Sequence, residues 1–217
     1  MEDRALSPLE CRIVATLVEK EVTTPNAYPL TLNALVSACN QKSNRSPVTA
    51  HTPQEIDEAL SLLLVKGWVT NTDQGGRVLK WKHRLRDRLQ ISEEEAAVLA
   101  ELMLRGPQQR GELRARAARM RPIADQSALG AILEGLMRRE PPLVKRLPRR
   151  AGERAERYAE TLSAAAPEPF EEPLSPATPL SLPEPEVLER LARLEREVEE
   201  LRRLLHESLR RDAEDHA

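Results

Sequence analysis

The 217-residue sequence predicts a mainly α-helical fold with small β-hairpin wings: two tandem winged-helix domains followed by a C-terminal coiled-coil-like helix. Three observations carry that expectation. Helix-start signals are followed by apolar stripes at helical spacing and then by short alternating runs around Gly or polar turns. The first helix reappears 85 positions later. Near the C-terminus, apolar residues recur at alternating gaps of four and three. Charged residues make up 31% of the chain and aromatics only 2%, so the core must be built from Leu, Val, Ile and Ala.

The first domain is expected over residues 1–83. Ser7-Pro8-Leu9-Glu10 has an N-cap, an N1 proline and an N3 glutamate, the pattern of a capping box. Leu9, Ile13, Val14, Leu17 and Val18 then form one apolar face, and the helix should stop near Glu21, ahead of Thr23-Thr24-Pro25 and Tyr28-Pro29. A shorter helix from about Leu30 to Cys39 should bury Leu32, Leu35 and Val36. Thr52-Pro53-Gln54-Glu55 repeats the start signal for a third helix, with Ile56, Leu60, Leu63 and Leu64 inward and Gly67 at its end. Two strands follow, Trp68 to Thr70 and Val78 to Lys82. Alternation puts Leu79 and Trp81 inward and Val78, Lys80 and Lys82 outward.

The second domain, residues 84–162, repeats this order. Ser7 falls on Ser92, Glu10 on Glu95, Ile13-Val14 on Val98-Leu99 and Leu17-Val18 on Leu102-Met103. A second helix around Leu113 and a third carrying Leu129, Ile132, Leu133 and Leu136 lead to strands Leu143 to Leu147 and Arg157 to Leu162. Cys11 falls opposite Ala96, which reads as a small buried position rather than a thiolate. Cys39, beside a polar turn, leaves a reactive thiol open as the minor alternative.

Residues 163–185 form a Pro-rich acidic linker, expected to be extended. The helix over 186–217 places Val187, Leu191, Leu194, Val198, Leu201 and Leu205 on a heptad seam, with Arg190/Glu195 and Glu197/Arg202 at the spacing of interhelical pairs. A parallel homodimer through residues 187–205 is the expectation; a helix folding back on its own domains is the alternative.

The stretch Glu19 to Val48 closely resembles the signature of the YceH-like proteins, a bacterial family of uncharacterised function. The matching residues are Glu19-Lys20-Glu21, Thr23-Thr24-Pro25, Tyr28-Pro29-Leu30, Leu32-Asn33-Ala34-Leu35 and Ala38-Cys39-Asn40-Gln41-Lys42-Ser43-Asn44-Arg45. The resemblance implies two winged-helix units and no established activity. Asn33, Asn40, Gln41, Lys42, Asn44 and Arg45 are the part that core packing does not demand, and the second domain does not repeat them. They read either as partners for the backbone of a long loop or as a small binding surface for an anion or partner.

Composition excludes several classes of function. No apolar run reaches the roughly 18 residues that span a bilayer, and no signal-peptide pattern opens the chain, so the expectation is a cytoplasmic protein with no membrane contact. The four histidines are scattered and no Gly-rich phosphate loop follows a strand. No enzyme, metal or other cofactor is expected.

Charge is uneven: 9 basic and 9 acidic residues over 1–83, 17 and 12 over 84–162, 7 and 14 over 163–217, hence 0, +5 and −7. The third helix of the first domain opens with Gln54, Glu55, Asp57 and Glu58, the wrong sign for phosphate. Arg110, Arg114, Arg116, Arg119 and Arg121, with Lys145, Arg146, Arg149, Arg150 and Arg154, make the second domain the better candidate for DNA. The expected nucleic-acid contacts are Arg110, Arg114, Arg149 and Arg150, assisted by Arg77, Lys80 and Lys82 of the first wing. Solvated ion pairing with nearby glutamates is the equal alternative for the arginines. The competing class is a protein–protein interaction adaptor, whose architecture resembles the accessory subunits of bacterial chromosome-condensation complexes.

Overall fold

Capping chemistry sets the frame of the molecule. In the computed structural model, residues 4–72, 78–149 and 155–163 are described, together with Arg193 and Arg196. Helix α1 (Pro8–Thr23), a 3₁₀ turn (Pro25–Ala27), β1 (Leu30–Thr31), α2 (Leu32–Cys39), α3 (Pro53–Val65), β2 (Val69–Thr72) and β3 (Lys80–His83) make the first half. A short connector, α4 (Leu85–Leu89), leads to α5 (Glu93–Arg105), β4 (Gln108–Gln109), α6 (Arg110–Ala117), α7 (Gln126–Met137), β5 (Val144–Leu147) and β6 (Arg157–Glu160). These helices are accompanied by two small antiparallel three-stranded sheets of identical order, β1-β3-β2 and β4-β6-β5. The linker, the heptad tail and the hairpin tips bearing Arg77, Arg150 and Arg154 lie outside the described residues; Arg193 and Arg196 are helical and exposed.

Ser7, Thr52 and Ser92 each close the reciprocal capping box with Glu10, Glu55 and Glu95, so α1, α3 and α5 begin where the start signals place them. Helix α3 ends in a Schellman motif. Trp68 N–H donates to Leu63 O at 2.9 Å and Gly67 N–H to Leu64 O at 3.1 Å, and Gly67 takes φ +73°, a region that only glycine enters freely.

Both sheets contain a strand that the sequence pattern did not reveal. Leu30 belongs to β1, opposite Trp81, instead of starting the second helix, because Pro29 and the extended Thr31 N-cap hold the chain open until Leu32. Gln108 pairs in the same way with Tyr158. Two inward assignments are corrected as well. Leu64 is 39% exposed, since Ile56, Ala59, Leu60 and Leu63 already fill the buried face of α3. Leu79 is 44% exposed because it precedes the paired register, whose inward alternation falls on Trp81.

The two halves share one continuous core. Helices α1 and α5, the repeat-related pair, pack against each other with Ile13, Val14, Leu17, Val98, Leu99 and Leu102 all buried. Each such side chain contributes about 1.5–3 kcal/mol by leaving water. Ahead of α1, Leu6 N–H donates to Leu162 O at 2.8 Å, which ties the start of the first half to the end of the second. Cys11 and its counterpart Ala96 are both buried.

Candidate functional site

The signature stretch is built into the seam between the halves. Arg45 is fully buried, and its Nη2 reaches Glu19 Oε2 of α1 at 2.5 Å, Ala38 O of α2 at 2.9 Å and Thr16 Oγ1 at 3.4 Å. The other oxygen of Glu19 takes Nη1 of Arg119, beyond α6, and Arg119 Nη2 reaches Glu101 Oε2 at 3.0 Å. Glu101, wholly buried in α5, also pairs with Arg105 Nε at 3.1 Å, and Arg105 Nη2 donates to Asn44 Oδ1 at 2.5 Å. The chain Arg45–Glu19–Arg119–Glu101–Arg105–Asn44 therefore closes on the signature loop after crossing both halves.

The electrostatics follow from this pairing. Burial disfavours the Glu19 carboxylate, but the hydrogen bonds and charges of Arg45 and Arg119 outweigh it and hold the group below its ordinary range. Burial likewise opposes the Arg119 charge, and Glu19 and Glu101 overcome it, raising its pKa. Arg12, buried and close to Arg45, is pushed downward; it donates to Leu104 O at 3.3 Å and Pro47 O at 2.8 Å. Ser46 N–H donates to the same Leu104 carbonyl at 2.9 Å, so loop and α1 together satisfy the end of α5.

The remaining signature residues mostly serve the loop itself. Asn40 clamps His51, donating to its carbonyl at 2.7 Å and accepting its N–H at 2.8 Å. Gln41 donates to Ser43 O and accepts from Lys20. Asn44 holds φ 58°, a left-handed conformation that Asn tolerates better than most side chains. Asn33 and Lys42 are exposed. Cys39 is fully buried, its Sγ 3.7 Å from Thr16 Oγ1, and burial pushes its thiol up to about 11. The Cys11 thiol is raised further, by burial and then by Glu160 and Glu10. Both stay protonated at neutral pH, which removes the thiolate that reactivity requires.

The basic residues of the second half divide into two groups. Arg114 donates to Ile123 O at 3.2 Å and Ala124 O at 2.6 Å, clamping the α6–α7 turn. Arg116 binds Gln108 and Glu112, Arg121 binds Glu93, and Arg146 pairs with Glu156 at 3.4 Å. Arg110 is shared: its Nη2 donates to Gln126 O at 2.6 Å, at the first residue of α7, and it also lines an open cleft of about 440 Å³. Gln109, Gly111, Arg149, Ala155, Glu156 and Tyr158 complete that cleft, with Arg149 exposed. Lys80 is exposed on the first sheet and Lys82 half-buried.

Sequence reasoning missed Arg12, Glu101 and Arg119 as internal partners. Glu101 did carry a signal, since it stands among Leu99, Ala100, Leu102 and Met103, where an apolar residue belongs. Also missed was the outward face of α7, where Gln126, Ser127 and Ala131 are exposed and small or uncharged. Among the described residues no helix is long and apolar enough to cross a membrane, and no group of three or more His, Cys, Asp or Glu side chains is arranged to hold a metal ion.

These features define a class of helical protein: two repeated halves, each with a small sheet, joined through a buried ion network that begins and ends on one loop. Residues 6–153 match the family described as "Protein of unknown function, DUF480". The chain belongs to this family, in agreement with the YceH-like signature. A UPF0502 protein of Geobacter metallireducens is 47% identical over 196 residues, covering 90% of each chain. One from Geotalea uraniireducens is 47% identical over 215 residues, covering 93% of this chain and 95% of its own. Another, from Geobacter sulfurreducens, is 46% identical over 193 residues, covering 89% and 88%.

Proposed function

We propose that the protein is a cytoplasmic, non-catalytic, nucleic-acid-associated regulator made of two tandem winged-helix units, with its contact surface on the second. The helix order and the hairpin completed by a short third strand support the winged-helix reading in both halves. The carrying observation for the surface is Arg110. It holds the first carbonyl of α7 and lines the same cleft as Arg149, so it links that cleft to a helix start that exposes Gln126 and Ser127 after the N-cap Asp125. A helix presented in this way offers uncharged donors and acceptors to base edges while the arginines meet phosphate. The corresponding end of α3 exposes Glu55, Asp57 and Glu58 and would repel it.

The test is duplex binding by fluorescence anisotropy across a salt series. Binding that weakens with salt, with a slope smaller by about one unit in Arg149→Ala, supports the reading. No binding at about 50 mM salt removes it.

The adaptor reading keeps one specific observation. The exposed face of α3 joins Asp57 and Glu58 to Leu62, 57% exposed, and Val65, 87% exposed. Such a mixed acidic and apolar face suits a protein more than a phosphate backbone. Recovery of one defined protein partner that survives nuclease treatment and is lost in Val65→Glu would favour it. Self-association through residues 187–205 belongs to either reading.

A further inference from the structure

The chain leaves its first half through His83, whose ring is 4% exposed and fully engaged. Leu85 N–H, the first amide of α4, points at Nδ1 with a separation of 3.2 Å. An amide can only donate, so Nδ1 must carry a lone pair, and the single proton of the neutral ring sits on Nε2. That proton is donated to Glu21 Oε2 of α1 at 2.9 Å. The backbone N–H of His83 donates to the Tyr28 hydroxyl at 3.0 Å, which fixes the residue from a third side. Arg84, the N-cap of α4, supplies no side-chain cap, so His83 does that work.

The far end of the connector belongs to the second half. Arg139 donates to Leu89 O at 2.6 Å and to Gln90 O at 2.8 Å. Helix α4 is therefore strung between a second-half arginine and a first-half histidine. The charged and titratable groups around the ring are Glu21 from α1, Tyr28 before β1, Arg86 from α4, Glu93 from α5 and Arg121 beyond α6. Glu93 already takes both Arg86 and Arg121, leaving Glu21 as the acid in direct contact with the imidazole.

We propose that His83 is a proton-sensitive cap on the connector between the halves: the neutral ring holds the start of α4, and protonation releases it. When Nδ1 gains a proton it becomes a donor facing the Leu85 donor. The imidazolium keeps its bond to Glu21, and the first turn of α4 loses its acceptor. Protonation of the ring thus loosens the first-half anchor of the connector while Arg139 keeps the other end in place.

The test uses the full-length protein, with side-chain ¹⁵N NMR of His83 and amide exchange at Leu85 from about pH 8 to about pH 5.5. Expected are an Nε2–H tautomer at the upper end and a fall of about tenfold in Leu85 protection, after correction for intrinsic exchange, in step with the His83 titration. In His83→Asn the side-chain oxygen can accept the same N–H without titrating, and protection should stay flat. An Nδ1–H tautomer at high pH, unchanged protection through the titration, or the same loss in His83→Asn would overturn the proposal.

Discussion

Arg45 Nη2 and Glu19 Oε2 lie 2.5 Å apart with side chains 0% and 1% exposed, and this pair anchors the signature loop to α1. A buried pair is stabilising only relative to its broken halves, because each partner alone would be an uncompensated charge. Arg45→Ala strands one oxygen of Glu19 and the Ala38 carbonyl, although Arg119 remains on the other oxygen. We expect a loss of about 3 kcal/mol in urea unfolding. Lys42→Ala, three residues away but exposed, should stay within about 0.5 kcal/mol of wild type.

Acid should act through the same carboxylate. Glu19 is held below its ordinary value of 4.5 in the folded state, so its contribution is complete above that value and is lost as pH falls through the lower folded value. Glu19→Gln removes the titrating group. Melting temperature plotted against pH should therefore fall more steeply for wild type than for Glu19→Gln once the pH drops below about 4.5.

Gly67 tests the end of α3. Its positive φ closes the Schellman motif, and an added Cβ would also stand 3.4 Å from Arg88 Nη1. Gly67→Ala should cost about 1 kcal/mol in chemical denaturation, mostly as backbone strain.

The capping boxes test the starts of the helices. Ser92→Ala deletes the acceptor of Glu95 N–H at 3.1 Å and should cost about 1 kcal/mol, as should Thr52→Ala at α3.

Local chemistry was readable from the sequence, and long-range chemistry was not. Ser7-Pro8-Leu9-Glu10 announces α1 because every partner in a capping box lies within three residues. The shift of 85 positions correctly paired Cys11 with Ala96 as small buried sites. Strands β1 and β4 escaped because two residues cannot display a period, and their partners Trp81 and Tyr158 lie about 50 residues away. Helix α4 escaped for a similar reason, since Leu-Arg-Asp-Arg-Leu is too short to show a face. At the candidate site, the arginines around α6 read equally well as a basic surface for DNA or as solvated ion pairs with nearby glutamates. Arg114 instead satisfies carbonyls at the end of its own turn, and Arg119 reaches an acid one hundred positions earlier. Composition counts a guanidinium but does not say which oxygen it meets.

The central claim is that the signature loop acts as an internal clasp between the halves, with Glu19 and Arg45 at its centre. A double-mutant cycle of Glu19→Ala and Arg119→Ala, the pair that crosses from one half to the other, read by urea unfolding at neutral pH, tests it most directly. The clasp predicts a coupling energy of about 1–3 kcal/mol between the two positions. Additive losses, agreeing within about 0.5 kcal/mol, would contradict it.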